Sequence, residues 1–316
     1  MRAPPFRVDP AAESFELGAY LDGERGRVEA SLRRALQRVR ALLPASVADA
    51  VEHGLLGGGK RLRPVLCVAA YRACGGDPPD ALYDLAASLE LIHAYSLMHD
   101  DLPCMDAAEL RRGLPTTHRV YGQSVAVVAG AVMIPLAALQ ALAACRALGL
   151  EARRGHAAAR ELCRAAGAGG MVGGQVLDLL AEKDAVGPHA LDALHGLKTG
   201  ALLAASLRLG ALAAGASPPA LAAIDVYGRA LGLAFQIADD VLDATATAEE
   251  LGKNPSDAAL GKSTYVSLHG LGGARSRARA EVQRARAALS EAGLGADDPR
   301  AAPLHAMVAY AAERGR

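Results

Sequence analysis

The feature that most constrains this chain is a run of carboxylates on an apolar helical segment. Residues 89–118 read LELIHAYSLMHDDLPCMDAAELRRGLPTTH. Asp100, Asp101 and Asp106 arrive at the end of a helix-patterned stretch, and Arg111 and Arg112 follow closely. Two carboxylates about 4 Å apart repel by on the order of 4 kcal/mol at an effective dielectric of ~20. Such a cluster must face water or hold cations. Leu97 and Met98 beside it make the segment too apolar for a solvated face. Cation binding is the better reading, and the arginines add a polyanion such as a phosphate ester.

A second cluster strengthens that reading. FQIADDVLD, residues 235–243, carries Asp239, Asp240 and Asp243 at helical spacings of three and four, which predicts one shared face with Gln236 a turn earlier. Asp100 and Asp106 are spaced differently, with Pro103 between them, so a distorted helix end is predicted there. Oxygen-only ligation suits Mg²⁺ or Mn²⁺, with phosphate oxygens and water completing the octahedron. Basic groups occur in further sets: Lys60 and Arg63 after the glycines at 57–59, Lys198 with Thr199, and Lys253 and Lys262. The glycine turn lacks P-loop spacing. That many charges call for two polyanionic ligands, one held through metals and one held directly.

The rest of the chain is helix-forming. Hydrophobic residues make up 52%, aromatics only 3%, and strand-like alternation is nearly absent. The pattern predicts an all-α fold: one domain of ten or more helices, whose alanine- and leucine-rich faces would supply an apolar cavity. Residues 1–14 are expected to be a mobile tail without a signal peptide, and 15–316 one domain. Predicted helices cover 13–43 (its first half weakened by Gly18, Gly23 and Gly26), 46–56, 63–73, 78–101, 120–148, 151–167, 171–182, 189–196, 197–210 and 220–243. A polar loop is expected over 248–261, then two or three closing helices. The arginine- and alanine-rich run 274–288 reads as solvated helix surface. Residues 120–145 carry no charge. Gln123, Gln140, Gly130 and Pro135 favour a buried bundle helix over a transmembrane segment.

With 34 basic and 34 acidic residues and no basic stripe, nothing indicates a nucleic-acid partner. The five cysteines, Cys67, Cys74, Cys104, Cys145 and Cys163, show no CxxC spacing and read as buried thiols of a reducing, cytoplasmic compartment.

The motifs GGGKRLRP, HDDLPCMD with RRG and TTH, GGQVLDL, KTG, FQIADDVLD and LGK…GKSTY occur in order between residues 57 and 265. Together they resemble the trans-isoprenyl diphosphate synthases, most closely bacterial farnesyl and geranylgeranyl diphosphate synthases. The resemblance implies a homodimer in which each chain is a single helical bundle with that cavity at its centre. It implies 1'-4 condensation of isopentenyl diphosphate with an allylic diphosphate and three Mg²⁺ per site. Asp100, Asp106 and Asp239, with Asp101, Asp240 and Asp243, would carry metal. Arg111, Lys198, Thr199, Gln236, Lys253 and Lys262 would contact the allylic diphosphate. Lys60, Arg63, His93 and Arg112 would contact isopentenyl diphosphate. The departing diphosphate would take the proton, so no strong base is needed.

Tyr95 and Ser96, five and four residues before Asp100, would set product length. A ring at Tyr95 resembles a floor that stops growth at fifteen carbons, so farnesyl diphosphate is the expected product and the C20 product the alternative. Five residues turn a helix by about 140°, so the ring meets the cavity only if the helix bends or the cavity wraps around it. Ala107, Ala108, Gln123 and Ala131 depart from the family's usual polar residues. A one-site terpene cyclase is disfavoured by Lys60, Arg63 and the second aspartate cluster. A silent subunit of a heteromeric synthase is disfavoured because all six aspartates are present.

Overall fold

The computed structural model describes residues 15–181, 186–245 and 263–313, with side chains through 311. The expected tail, the 248–261 loop, Lys253 and Lys262 lie outside the described residues. Among these, the chain is a helical bundle: α1 (Leu17–Arg40), α2 (Ala45–Leu56), α3 (Leu62–Ala73), α4 (Asp80–Asp100), α5 (Thr117–Tyr121), α6 (Gln123–Ala147), α7 (Ala152–Ala166), α8 (Met171–Ala181), α9 (Pro188–His195), a π-helical turn (Gly196–Gly200), α10 (Ala201–Ala213), α11 (Pro218–Thr245), α12 (Tyr265–Glu291) and α13 (Ala302–Glu313). Among the described residues the one departure from all-α structure is a two-residue antiparallel hairpin, Leu110–Arg111 against Leu114–Pro115.

α4 runs through the middle. Leu82, Leu85, Leu89 and Leu91 are fully enclosed on it, with α6, α1, α3 and α10 packed around. Each buried leucine contributes about 1.5–3 kcal/mol of transfer free energy. α10 packs on α3 and α11, and α11 on α12. On α12 the apolar positions Ala274, Ala278, Val282, Ala285 and Leu289 are buried, and arginines occupy the remaining faces, as expected for 274–288.

Four expectations need correction. α1 is continuous through Gly18, Gly23 and Gly26. Each glycine costs about 1 kcal/mol against alanine. Burial of Val28, Leu32, Leu36 and Val39 on its other half outweighs that. Residues 120–148 are not one helix, because Gly122 (φ 84°) separates α5 from α6. Nor is α6 a fully buried helix. One face (Ala126, Ala129, Met133, Ala137, Ala141) is enclosed, but Val127, Val128, Ile134 and Leu139 are 41–66% exposed on the other. α6 and α11 are long and apolar enough to cross a membrane by length and composition, with about half or less of each apolar window buried. Last, the cysteines are all free, but only Cys67 and Cys145 are buried, while Cys104 and Cys163 are exposed.

Candidate active site

The first acidic cluster forms where α4 stops. Pro103 cannot continue the helix, and the chain folds back so that the Asp106 amide donates to the Asp100 carbonyl at 2.8 Å. That is the distorted helix end anticipated from the spacing, and it returns Asp106 towards Asp100. Asp100 lines a cavity of about 340 Å3 together with Arg63, His93, Tyr95, Ser96, Met105, Gln175, Lys198 and Thr199. Burial, reinforced by Asp106 and Asp101 and opposed by Lys198 and Arg111, pushes the Asp100 carboxyl up to about 6. The pull of the two cations does not make up for the water that burial removes. Asp101 is different: it is buried and accepts both Nε (3.0 Å) and Nη2 of Arg111. Burial still raises its carboxyl despite Arg111, and the paired hydrogen bonds orient that guanidinium.

The second cluster also divides. Asp240 is buried; its Oδ1 accepts from Gln236 Nε2 at 3.1 Å and its Oδ2 from the Tyr265 amide at 2.8 Å. It therefore joins α11 to the start of α12. Asp239 and Asp243 are half-buried. Residues one apart on a helix point about 100° away from each other, so Asp240 lies at the buried edge of the face it shares with Gln236, to which it is hydrogen-bonded. Asp239 acts electrostatically on Arg63, which lines the main cavity.

The π-helical turn connects the two clusters. Lys198 pairs with Asp178 at 2.5 Å and acts on Asp100, while Thr199 Oγ1 donates to Gln236 Oε1 at 3.0 Å. The extra residue in a π turn re-aims side chains, a common feature of functional sites. Close packing requires glycine at Gly174, where a Cβ would lie 2.2 Å from the Lys198 amide nitrogen. α8 thereby approaches closely enough for Asp178 to reach Lys198. A second hollow of about 110 Å3 lies beyond the turn, lined by Asp178, His195, Lys198, Gln236, Asp240 and Thr264.

The directly acting cations gather at the glycine turn. Gly58 and Gly59 have φ of 87° and 124°, and Arg112 donates Nη1 to the Gly58 carbonyl. A Cβ at Gly59 would strike the Arg112 guanidinium, so glycine lets that side chain lie across the turn. Lys60 donates to Tyr310 Oη at 2.8 Å. His93 is held neutral by burial and by Arg63, Arg112, Arg111 and Arg61, in that order.

Tyr95 is buried and shares the cavity with Asp100, so the hollow wraps around α4 far enough to meet it. Its ring stands edge-on to His99 at 5.7 Å. Ser96 lines the same cavity and donates to the His93 carbonyl at 2.9 Å. Sequence reasoning missed Asp178, Tyr310, Arg61 and Glu90. Asp178 could have been found inside GGQVLDL and Arg61 inside GGGKRLRP; Tyr310 and Glu90 carry no signal of their own.

Residues 44–292 match the family model described as polyprenyl synthetase. The chain belongs to the polyprenyl synthetase family. It is 41% identical over 305 residues to geranylgeranyl pyrophosphate synthase 9, chloroplastic, of Arabidopsis thaliana, covering 95% of this chain and 82% of the relative. Among solved structures it is similar to an FPP/GFPP synthase from Zymomonas mobilis, at 34% identity, 92% and 99% coverage and TM-score 0.77. It is also similar to a geranyltransferase from Legionella pneumophila, at 31% identity, 97% and 99% coverage and TM-score 0.82. The family makes the chain a prenyltransferase that elongates prenyl chains.

Polyprenyl synthetases depend on divalent metal, and the residues present fit one. Among the described residues no three His, Cys, Asp or Glu side chains converge closely enough to hold an ion unaided. Mg²⁺ does not require that: it takes one or two carboxylates and completes its shell with substrate phosphate and water. Asp100 beside Asp106 is such a donor set.

Proposed function

We propose that this prenyltransferase condenses isopentenyl diphosphate with an allylic diphosphate, 1'-4, in a Mg²⁺-dependent reaction that ends at geranylgeranyl diphosphate. The observation that carries the condensation is the shared cavity. Asp100, Lys198, Thr199, Arg63 and His93 line it together with the apolar Met171, Val172, Val176 and Leu179. A metal-held diphosphate and a directly held diphosphate thus have separate binding groups around one greasy hollow.

Asp100, Asp106, Asp239 and Asp243 would hold three Mg²⁺, with Asp101 and Asp240 orienting their neighbours. The metal supplies charge stabilisation for the departing diphosphate. Arg111, Lys198, Thr199 and Gln236, with Lys253 and Lys262, bind and orient the allylic diphosphate. Lys60, Arg63, His93 and Arg112 hold isopentenyl diphosphate so that its double bond faces the ionising carbon. The apolar wall excludes water from the allylic cation, and the released diphosphate takes the proton.

The C20 product is supported by the names of the curated relatives, which are mostly geranylgeranyl synthases. A second reading, farnesyl diphosphate, is favoured by the buried Tyr95 ring in the cavity. Chromatography of the dephosphorylated products separates them: geranylgeraniol supports the first and farnesol the second.

The exposed apolar face of α6 supports a homodimer. Free thiols in every cysteine suit a cytoplasmic setting. Light scattering and cell fractionation test these two points.

A further inference from the structure

Between Lys60 and Arg63 lies Arg61, where the chain enters α3 with a left-handed backbone (φ 51°). Its side chain is fully enclosed. Nε donates to Glu29 at 2.7 Å, Nη1 to Glu90 Oε1 at 2.7 Å and Nη2 to the Leu55 carbonyl at 2.9 Å. This fork ties α1, α4 and the end of α2 to the turn carrying both substrate cations. Glu90 is only 2% exposed, and Arg61 uses one of its oxygens. The other, Oε2, is buried with no hydrogen-bond partner among the described residues, and so is Arg63 Nε. Unmet buried donors and acceptors are rare and costly, so each invites a reason.

These two atoms belong to α3 and α4, which pack together. Burial pushes the Arg63 guanidinium down to about 10, and Glu90 is the first of the charges that oppose it. Glu90 sits one helical turn before His93, which lines the cavity with Arg63. Building on the function above, we propose that Glu90 is a positioning residue for isopentenyl diphosphate. Its Oε2 accepts the Arg63 Nε–H when the diphosphate draws the guanidinium in, leaving the two Nη groups aimed at phosphate. A guanidinium held at Nε presents a fixed fork to an anion, whereas an unheld one does not.

The two roles a carboxylate can play here have opposite signs. As a bare charge, Glu90 repels an anion, and its removal tightens binding. As a positioning group, its removal loosens binding. Titration calorimetry with isopentenyl diphosphate in metal-free buffer, together with steady-state kinetics, reads the sign. Glu90→Gln keeps the shape and the acceptor for Arg61. It is expected to bind isopentenyl diphosphate about tenfold more weakly and to raise its KM similarly, with the allylic KM unchanged. Arg63→Lys removes the Nε arm, and adding Glu90→Gln to it should have little further effect. If Glu90→Gln does not fold, Glu90→Asp, which withdraws the carboxylate by one methylene, is measured the same way. Unchanged or tighter binding, or equal rises in both KM values, would overturn the proposal. A wild-type chain that binds isopentenyl diphosphate but makes no product would defeat the functional reading and leave the Glu90 comparison intact; one that does not bind it defeats both.

Discussion

At the residue scale, the aspartates divide by their hydrogen bonds. Asp101 and Asp240 are buried and held, by Arg111 and by Gln236 with the Tyr265 amide. Asp100 lines the cavity, and burial raises it from 3.8 to about 6 against the pull of Lys198 and Arg111. The folded state therefore holds that proton more tightly than the unfolded chain. Stability from this group is complete below the unfolded value and is lost as pH rises through about 6. Two outcomes follow. Mg²⁺ should raise the Tm more at pH 8 than at pH 5.5, because protons compete for Asp100 at the lower pH. Asp100→Asn should raise the metal-free Tm at pH 8, abolish the Mg²⁺ increment and lower kcat by on the order of 10²–10³. Thermal melts across pH, with and without Mg²⁺, check the sign. Tyr95→Ala should lengthen the product, read by chromatography; unchanged length would remove Tyr95 from the cavity end.

At the element scale, the close contact of α8 with the π-helical turn sets the Lys198 position. Gly174→Ala should lower kcat and cost about 1–3 kcal/mol, since a Cβ there meets backbone that cannot swing away. Denaturant melts and kinetics test it together. Arg61→Ala should cost about 3–5 kcal/mol, because it removes the cation hydrogen-bonded to Glu90 and Glu29. These elements also mark where sequence reading stopped. Helices α2, α3, α4 and α7 were legible within two residues, because apolar period and Pro/Gly punctuation agree there. The distorted end at Asp106 was legible from Pro103. The π turn was not: GLKTG has no composition that distinguishes a π turn from a helix boundary. The burial of Asp240 was not legible either, because helical spacing alone does not reveal the Tyr265 amide brought from α12.

At the scale of the whole molecule, the all-α class was readable from composition, and motif order pointed to two acidic clusters, which line two hollows on either side of Lys198. The exposed half of α6 was not, since an uncharged helix reads the same whether bundle or partner covers it. Ile134→Glu together with Leu139→Glu should convert a dimer to monomer in light scattering; an unchanged mass would show that this face is not the interface. The central claim is that one cavity brings a metal-held and a directly held diphosphate together for condensation. Its most direct measurement is incubation of the purified chain with dimethylallyl and isopentenyl diphosphates, with Mg²⁺ and with chelator, followed by product analysis. A C15–C20 prenyl diphosphate formed only with Mg²⁺ is the predicted result. No elongated product from the chain with Mg²⁺ present, or equal product with chelator, would contradict it.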